Sequence, residues 1–271
     1  MHPELLHIGP LVLRSYGVLM ATGFAVGAWW LVRRGTKRGM PAHRLIDLSI
    51  AMVVAGLAGG RMMYVLTHLG EFSSRPWLAL WPFQPDGTFG LQGFVYYGGI
   101  ITALPVAAWL LRRWGLSPLR VLDAGAPALA LGTAFGRMGC FLNGCCFGRP
   151  SSGPFGMVFP EGSQAGAMFA ATRIHPTQLY MVADNLLIVL ALLAVDRRWG
   201  RFDGAVIGTY LILTGLTRGY EDLYRYYESG MRLFQAGGLV ITVNQAIGPA
   251  LVAAGVMLLV RSRRRTPDTP E

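Results

Sequence analysis

The sequence predicts an all-α integral membrane protein, with seven transmembrane helices forming one polytopic domain over residues 1–271. Three observations carry that prediction. Hydrophobic residues make up 53% of the chain and charged ones only 14%, which is too apolar for an ordinary soluble domain. The apolar runs reach the roughly 20 residues that a helix needs to cross hydrocarbon. They also lack the ten-residue alternation of an outer-membrane barrel.

The seven spans centre near Gly23, Gly56, Ala103, Ala130, Ile188, Ile212 and Ala253. Basic clusters follow the first, third, fifth and seventh: Arg33 to Arg44, Arg112 to Arg120, Arg197 to Arg201, and Arg261 to Arg265. Cytoplasmic loops collect Lys and Arg, so the N-terminus is expected outside and the C-terminus in the cytoplasm. The same distribution argues against a nucleic-acid partner despite a net charge of +10, because the basic residues lie in short blocks between apolar runs. The first span is expected to remain in the mature protein, since Met1 to Pro10 carries Glu4 and no basic n-region.

The longest loops, residues 67–93, 149–173 and 224–238, then fall outside. They are rich in Gly, Pro and aromatic residues such as Trp77, Trp81, Phe83, Phe155 and Phe159, and are expected to form a small outer head. Glycines inside the spans read as helix-packing residues. Gly59-Gly60-Arg61, Gly98-Gly99 and Gly136-Arg137 are held apart from that reading as candidate functional positions. No internal repeat stands out, which weakens a secondary-transporter reading.

Chemistry concentrates where a long apolar run ends in Gly136-Arg137 and continues through Cys140, Asn143, Cys145 and Cys146 to Gly148. An arginine in hydrocarbon is costly and marks a polar cavity or a substrate path. Arg61, Arg137 and Arg218 lie on spans two, four and six, which all run from inside to outside, so the three can converge on one cavity. Guanidinium suits phosphate, because its planar fork donates parallel hydrogen bonds and never loses its charge. Such a cluster points to a phospholipid headgroup. Structural pairing is the alternative, with Asp222 four residues beyond Arg218 and Asp123 and Asp184 elsewhere in the spans.

Other polar groups gather near the outer ends: Tyr16, Tyr97 and the run His175-Pro176-Thr177-Gln178-Leu179-Tyr180. His175 is either a base or a helix-start anchor. The cysteines admit three readings: a metal site, a thiol nucleophile, or small packing residues. Structural zinc takes about four ligands and no second Cys or His cluster supplies the rest, so no metal and no cofactor is expected.

Arg137 to Gly148 resembles the signature of the bacterial prolipoprotein diacylglyceryl transferase family, in which Gly-Arg opens a Gly- and Asn-rich stretch ending in glycine. Leu13 to Gly17 is similar to the family's first-span entry, Gly59-Gly60-Arg61 to its second-span motif, and Gly98-Gly99 to its third-span pair. His175 to Tyr180 resembles its fifth-span entry, Arg218 with Asp222 and Arg225 its sixth-span motif, and Gln245 its last-span glutamine. Two departures stand out. Tyr97 replaces a histidine of well-known members, and Cys140 and Cys145 replace Asn and Glu in the signature, so the family's proposed base is missing by identity.

The resemblance implies transfer of the diacylglyceryl group of phosphatidylglycerol to the lipobox cysteine of a prolipoprotein signal peptide, in a bacterial inner membrane. It implies catalytic roles for Arg137, Arg218 and Tyr97. Tyr16, Arg61, Gly98, Gly99, Asn143, Gly148, His175, Gln178, Tyr180, Asp222 and Gln245 would bind substrate. A lipid-phosphate transporter or scramblase without transfer chemistry is the rival reading.

Overall fold

A computed structural model describes the chain except for residues 2, 10, 74, 80, 82–92, 200–201, 227–231, 237–238 and 265–271. The side chains of 8, 11, 232–236, 239–246 and 263–264 are also outside the description. Phe83 and part of the first long loop therefore lie outside the described residues.

The elements in order are β1 (Glu4–Ile8), β2 (Leu11–Arg14), α1 (Ser15–Lys37), α2 (Ala42–Thr67), α3 (Leu69–Phe72), α4 (Tyr96–Arg113), α5 (Pro118–Asn143), β3 (Met157–Val158), α6 (Gln164–Met168), β4 (Arg173–Ile174), α7 (Thr177–Trp199), α8 (Ala205–Tyr224), β5 (Arg232–Ala236), β6 (Leu239–Thr242) and α9 (Val243–Arg264), with a 3-10 turn at Pro76–Ala79. The strands form three separate antiparallel two-stranded ribbons, β1-β2, β3-β4 and β5-β6. Each of the seven expected span centres lies on a helix of 18 to 26 residues.

Among the described residues, α1, α2 and α7 are long and apolar enough to cross a membrane. Helices α5 and α8 are more polar, since α5 carries Asp123 and Arg137 and α8 carries Arg218, Glu221 and Asp222. The surface marks a membrane protein. On α7, Leu187 and Leu190 are each 63% exposed, whereas Ala126 and Ala130 on α5 are fully buried. Water penalises that inversion, but a hydrocarbon solvent permits it, because there small residues draw helices together and large aliphatics meet lipid. Three of the basic clusters place residues in the last turn of a helix, with Arg34 and Lys37 on α1, Arg112 and Arg113 on α4, and Arg197 and Arg198 on α7. There they also complement the negative end of the helix dipole.

The chain divides into two compact units. One holds Glu4–Arg14 and Leu31–Pro118. Its main contact is α2 against α4, and glycine makes it possible: a Cβ on Gly98 would overlap the Gly59 carbonyl, and one on Gly99 would come within 3.0 Å of the Gly56 carbonyl. Thr102 closes the crossing by donating to the Ala55 carbonyl at 2.7 Å. Gly98 and Gly99, expected at a binding surface, therefore have a packing reason for lacking side chains.

The other unit holds Met1–Pro3, Ser15–Trp30 and Leu119–Glu271. The first half of α1 lies along α5, with Gly23 against Phe135 and Gly139 against Tyr16. Helices α5, α7 and α8 share a core of Ala126, Ala130, Ile188, Leu192 and Val206. Asp123, fully buried on α5, accepts the backbone N–H groups of Gly204 (2.7 Å) and Ile207 (2.8 Å), and so caps the start of α8. Helices α8 and α9 meet antiparallel through two glycine pairs, Gly208 with Gly255 and Gly215 with Gly248. The loop at 149–173 packs Phe159 and Ala165 with the flanking Phe147 and Ile174 into a small apolar core, joined by Phe169 and Tyr226.

Candidate active site

The site is built where α5 stops. Asn143 is its last residue, and Gly144 takes the left-handed conformation (φ +70°) that glycine adopts without a Cβ penalty. The Gly144 N–H then donates to the Phe141 carbonyl (3.1 Å) and the Cys145 N–H to the Cys140 carbonyl (3.1 Å), which is the Schellman pattern of a helix end. Cys146 is also left-handed (φ +60°), a conformation costly for a residue with a Cβ and one that must be held from outside.

The start of α7 does the holding. Gln178 Nε2 donates to the Cys145 carbonyl at 2.7 Å, and Thr177 Oγ1 donates to the Cys146 carbonyl at 3.1 Å. Both side chains are almost fully buried. Beyond the turn, Gly148 lies between two other backbones: its N–H donates to the His175 carbonyl at 2.9 Å, and Arg149 N–H donates to the Tyr224 carbonyl at 2.8 Å. A Cβ on Gly148 would come 2.6 Å from the His175 carbonyl oxygen and 2.7 Å from that of Tyr224. Gly148 is glycine because no side chain fits there.

This turn sets Arg137 and the cysteines beside α8. Arg218 and Glu221 on α8 approach to 3.9 Å, and Glu221 is only 5% exposed. The charges of Arg137 and Arg225 act on the same carboxylate, as does that of Asp184. The charges of three arginines thus act on one buried acid. Among the described residues no group hydrogen-bonds or ion-pairs with the Arg137 guanidinium. Pairing of Arg218 with Asp222 is the structural alternative; on α8 the carboxylate that approaches Arg218 is that of Glu221, at i+3, and Asp222 is buried at the next position.

The remaining expected residues take distinct places. His175 Nδ1 and the Tyr180 hydroxyl lie 3.0 Å apart, and their rings pack with Tyr224. His175 is thus an anchored group at the entry to α7. Tyr16 stands against Gly139, within electrostatic reach of Arg137 and the three thiols. Asn143 borders a cavity of about 330 Å³ with Leu142, Ser163 and Gln164. Gln245 lies on α9, and its side chain is outside the described residues. Hydrogen bonding with the Cys140 and Cys145 thiols, and behind it the charges of Arg225 and Arg137, hold the Cys146 thiol below its ordinary range against the opposing effect of burial.

In the other unit, Arg61 is bound by backbone. Its Nε donates to the Ala79 carbonyl (2.7 Å) and its Nη2 to that of Leu78 (3.0 Å), which ties α2 to the C-terminal end of the 3-10 turn. The guanidinium also lies over the rings of Tyr64 and Phe72. Tyr97 is 53% exposed at the start of α4, next to the Tyr96 ring.

Comparison with known proteins decides the family. A profile described as prolipoprotein diacylglyceryl transferase matches residues 3–261. The chain belongs to that family. It is similar to a protein of Leifsonia xyli subsp. xyli named phosphatidylglycerol–prolipoprotein diacylglyceryl transferase, with 33% identity over 95% of this chain and 77% of that protein. Proteins of the same name from Clostridium tetani (30% identity, 83% of this chain and 86% of the relative) and Photobacterium profundum (30%, 98% and 95%) are also similar. As a diacylglyceryl transferase family member, the chain is an enzyme of the membrane. Glu221 is the residue that the sequence did not single out, and its signal was its spacing: three residues after Arg218 on one helix, with Arg225 just past the end of that helix.

Proposed function

We propose that the chain transfers the diacylglyceryl group of phosphatidylglycerol to the lipobox cysteine thiol of prolipoprotein signal peptides, in the inner membrane of a bacterium. In this reading all seven long helices span the bilayer, the N-terminus and the three long loops lie outside, and the C-terminus lies in the cytoplasm. The supporting observation is that the charges of Arg137, Arg218 and Arg225 act on Glu221, with Arg137 free of any hydrogen bond or ion pair among the described residues.

In the reaction the substrate sulfur attacks an sp³ carbon of the glyceryl group. A C–S bond forms, the C–O bond to phosphate breaks, and glycerol phosphate leaves with the electron pair. Negative charge grows on the leaving phosphate oxygen. Fixed guanidinium groups in a low-dielectric site stabilise that charge without reorganising, which suits Arg137 and Arg218. The thiol proton must also go somewhere. A hydroxyl oxygen is a poorer proton acceptor than a carboxylate, so Tyr97 does not fill that role. Glu221 is the better acceptor: its buried Oε2 has no hydrogen-bond donor among the described residues. Tyr97 then orients the thiol or the headgroup.

The test is direct. Purified protein in phosphatidylglycerol micelles is incubated with a lipobox peptide, and the thioether product is sought as a mass shift. Product formation supports the transferase reading, whereas no shift with any of several anionic lipids overturns it in favour of lipid-phosphate transport.

A further inference from the structure

The three cysteines are not scattered packing residues. Their Sγ atoms all lie within 4.8 Å of one another, and all three thiols are free. Sequence spacing hides this, because residue 140 lies in the last turn of α5 and residues 145 and 146 lie beyond its end. The turn at Gly144 folds the chain back, with the Cys145 N–H on the Cys140 carbonyl, and Gln178 and Thr177 fix the carbonyls of Cys145 and Cys146. The cluster is therefore pre-formed by backbone, and no ligand is needed to assemble it.

We propose that Cys140, Cys145 and Cys146 form a three-sulfur binding site for the soft monovalent ion Cu(I). A metal bound to three thiolates at about 2.3 Å in a trigonal plane sets the sulfurs about 4.0 Å apart, a small contraction from the span found here. The donor set selects the ion. Among the described residues no His, Asp or Glu joins the cluster as a fourth ligand, and structural zinc takes about four. Thiolate-only sites favour Cu(I), which is satisfied by three sulfurs.

Charge balance agrees. Three thiolates and one Cu(I) carry a net double negative charge, and Arg225 and Arg137 are the two cations whose charges act on Cys146. Resting on the function proposed above, filling the site engages Arg137 with the metal–thiolate cluster and withdraws it from lipid phosphate, so bound Cu(I) inhibits transfer.

The experiment uses the full chain in detergent under anaerobic conditions. Cu(I) is titrated in competition with a chromophoric Cu(I) chelator, and sulfur coordination is read by X-ray absorption. The expected result is one Cu(I) per chain in an all-sulfur shell. Each of Cys140→Ser, Cys145→Ser and Cys146→Ser should weaken retention at least tenfold, and the triple variant should not compete with the chelator. Cys→Ala variants and thermal melting check that weakened retention does not come from unfolding. Equal retention by wild type and triple variant, a shell without sulfur, or tighter retention of Zn²⁺ than of Cu(I) would overturn the assignment. Transfer inhibited by Cu(I) in the wild type but not in the triple variant supports the coupling, and equal inhibition in both overturns it. Because the binding readout needs no turnover, an inactive protein that still holds Cu(I) on sulfur refutes the transferase reading alone.

Discussion

Arg61 and Arg137 enter the sequence in the same form, a glycine followed by an arginine inside an apolar run, yet their surroundings are opposite. Arg61 on α2 donates to the carbonyls of Leu78 and Ala79 and lies over two aromatic rings. Arg137 on α5 has no hydrogen bond or ion pair among the described residues and shares the field of one buried carboxylate with two other arginines. The cost of an intramembrane charge can be offset by the fold's own backbone or left for a ligand to offset. Only the second case leaves binding energy available for a phosphate. The contrast predicts that one arginine fails in stability and the other in chemistry.

The largest effect is expected at Arg137. Arg137→Ala should lower transfer by ~100- to 1000-fold, the range for removing one fixed donor from a developing oxyanion. Its melting temperature should stay near wild type, because the guanidinium is not part of a described structural bond. Arg218→Ala should fall in the same range, with some added loss of stability from the weakened contact to Glu221. Peptide-modification rates and melting curves of the same preparations check both. Normal turnover in Arg137→Ala would break the comparison at its root.

Glu221→Gln comes next. The substitution keeps the shape and removes the negative charge, so the arginines keep their places while the proton acceptor is lost. A drop of about 100-fold is expected, at the lower end for general base catalysis. A peptide whose thiol is replaced by a more acidic selenol should recover much of the rate, since it arrives already ionised. Failure of that rescue would point to a purely electrostatic role for Glu221.

Arg61→Ala should act on the other observable. Losing charged hydrogen bonds to the Ala79 and Leu78 carbonyls should cost about 2–3 kcal/mol, seen as a lower melting temperature in detergent. Transfer per folded molecule should fall far less than in Arg137→Ala. A stable but inactive Arg61→Ala would return Arg61 to the group of ligand-binding arginines.

These contrasts also mark what the sequence can and cannot carry. The long helices were legible because apolar runs of that length have few other outcomes, and Arg137 because a charge in such a run is anomalous. The partners of Arg61 were not legible: they are backbone carbonyls, which every residue has. Glu221 and Asp222 could not be separated by spacing, since each lies three or four residues from both Arg218 and Arg225. Which one meets Arg218 depends on the side-chain rotamers, and these follow from which face of α8 is packed. That packing is set by the glycine contacts to α9 and by Asp123 at the start of the helix, both of which are tertiary. The cysteine cluster stayed hidden for a related reason, because a helix end divides it and only the left-handed turn at Gly144 reunites it.

The smallest effect on transfer is expected at Cys145, and it bears on the comparison from the other side. Cys145 contributes its backbone carbonyl to the Gln178 bond and its amide to the helix end, and neither depends on its side chain. Cys145→Ala removes one sulfur from a half-buried position and leaves both of those bonds in place, so a stability loss near 1 kcal/mol and a rate within ~3-fold of wild type are expected. Gln178→Leu is the matching control, since it removes the donor that holds the same carbonyl and should loosen the turn beneath Arg137. If Cys145→Ala lost all transfer while melting as wild type, the thiol itself would be the reacting group, and Arg137 would serve that sulfur before it served a lipid.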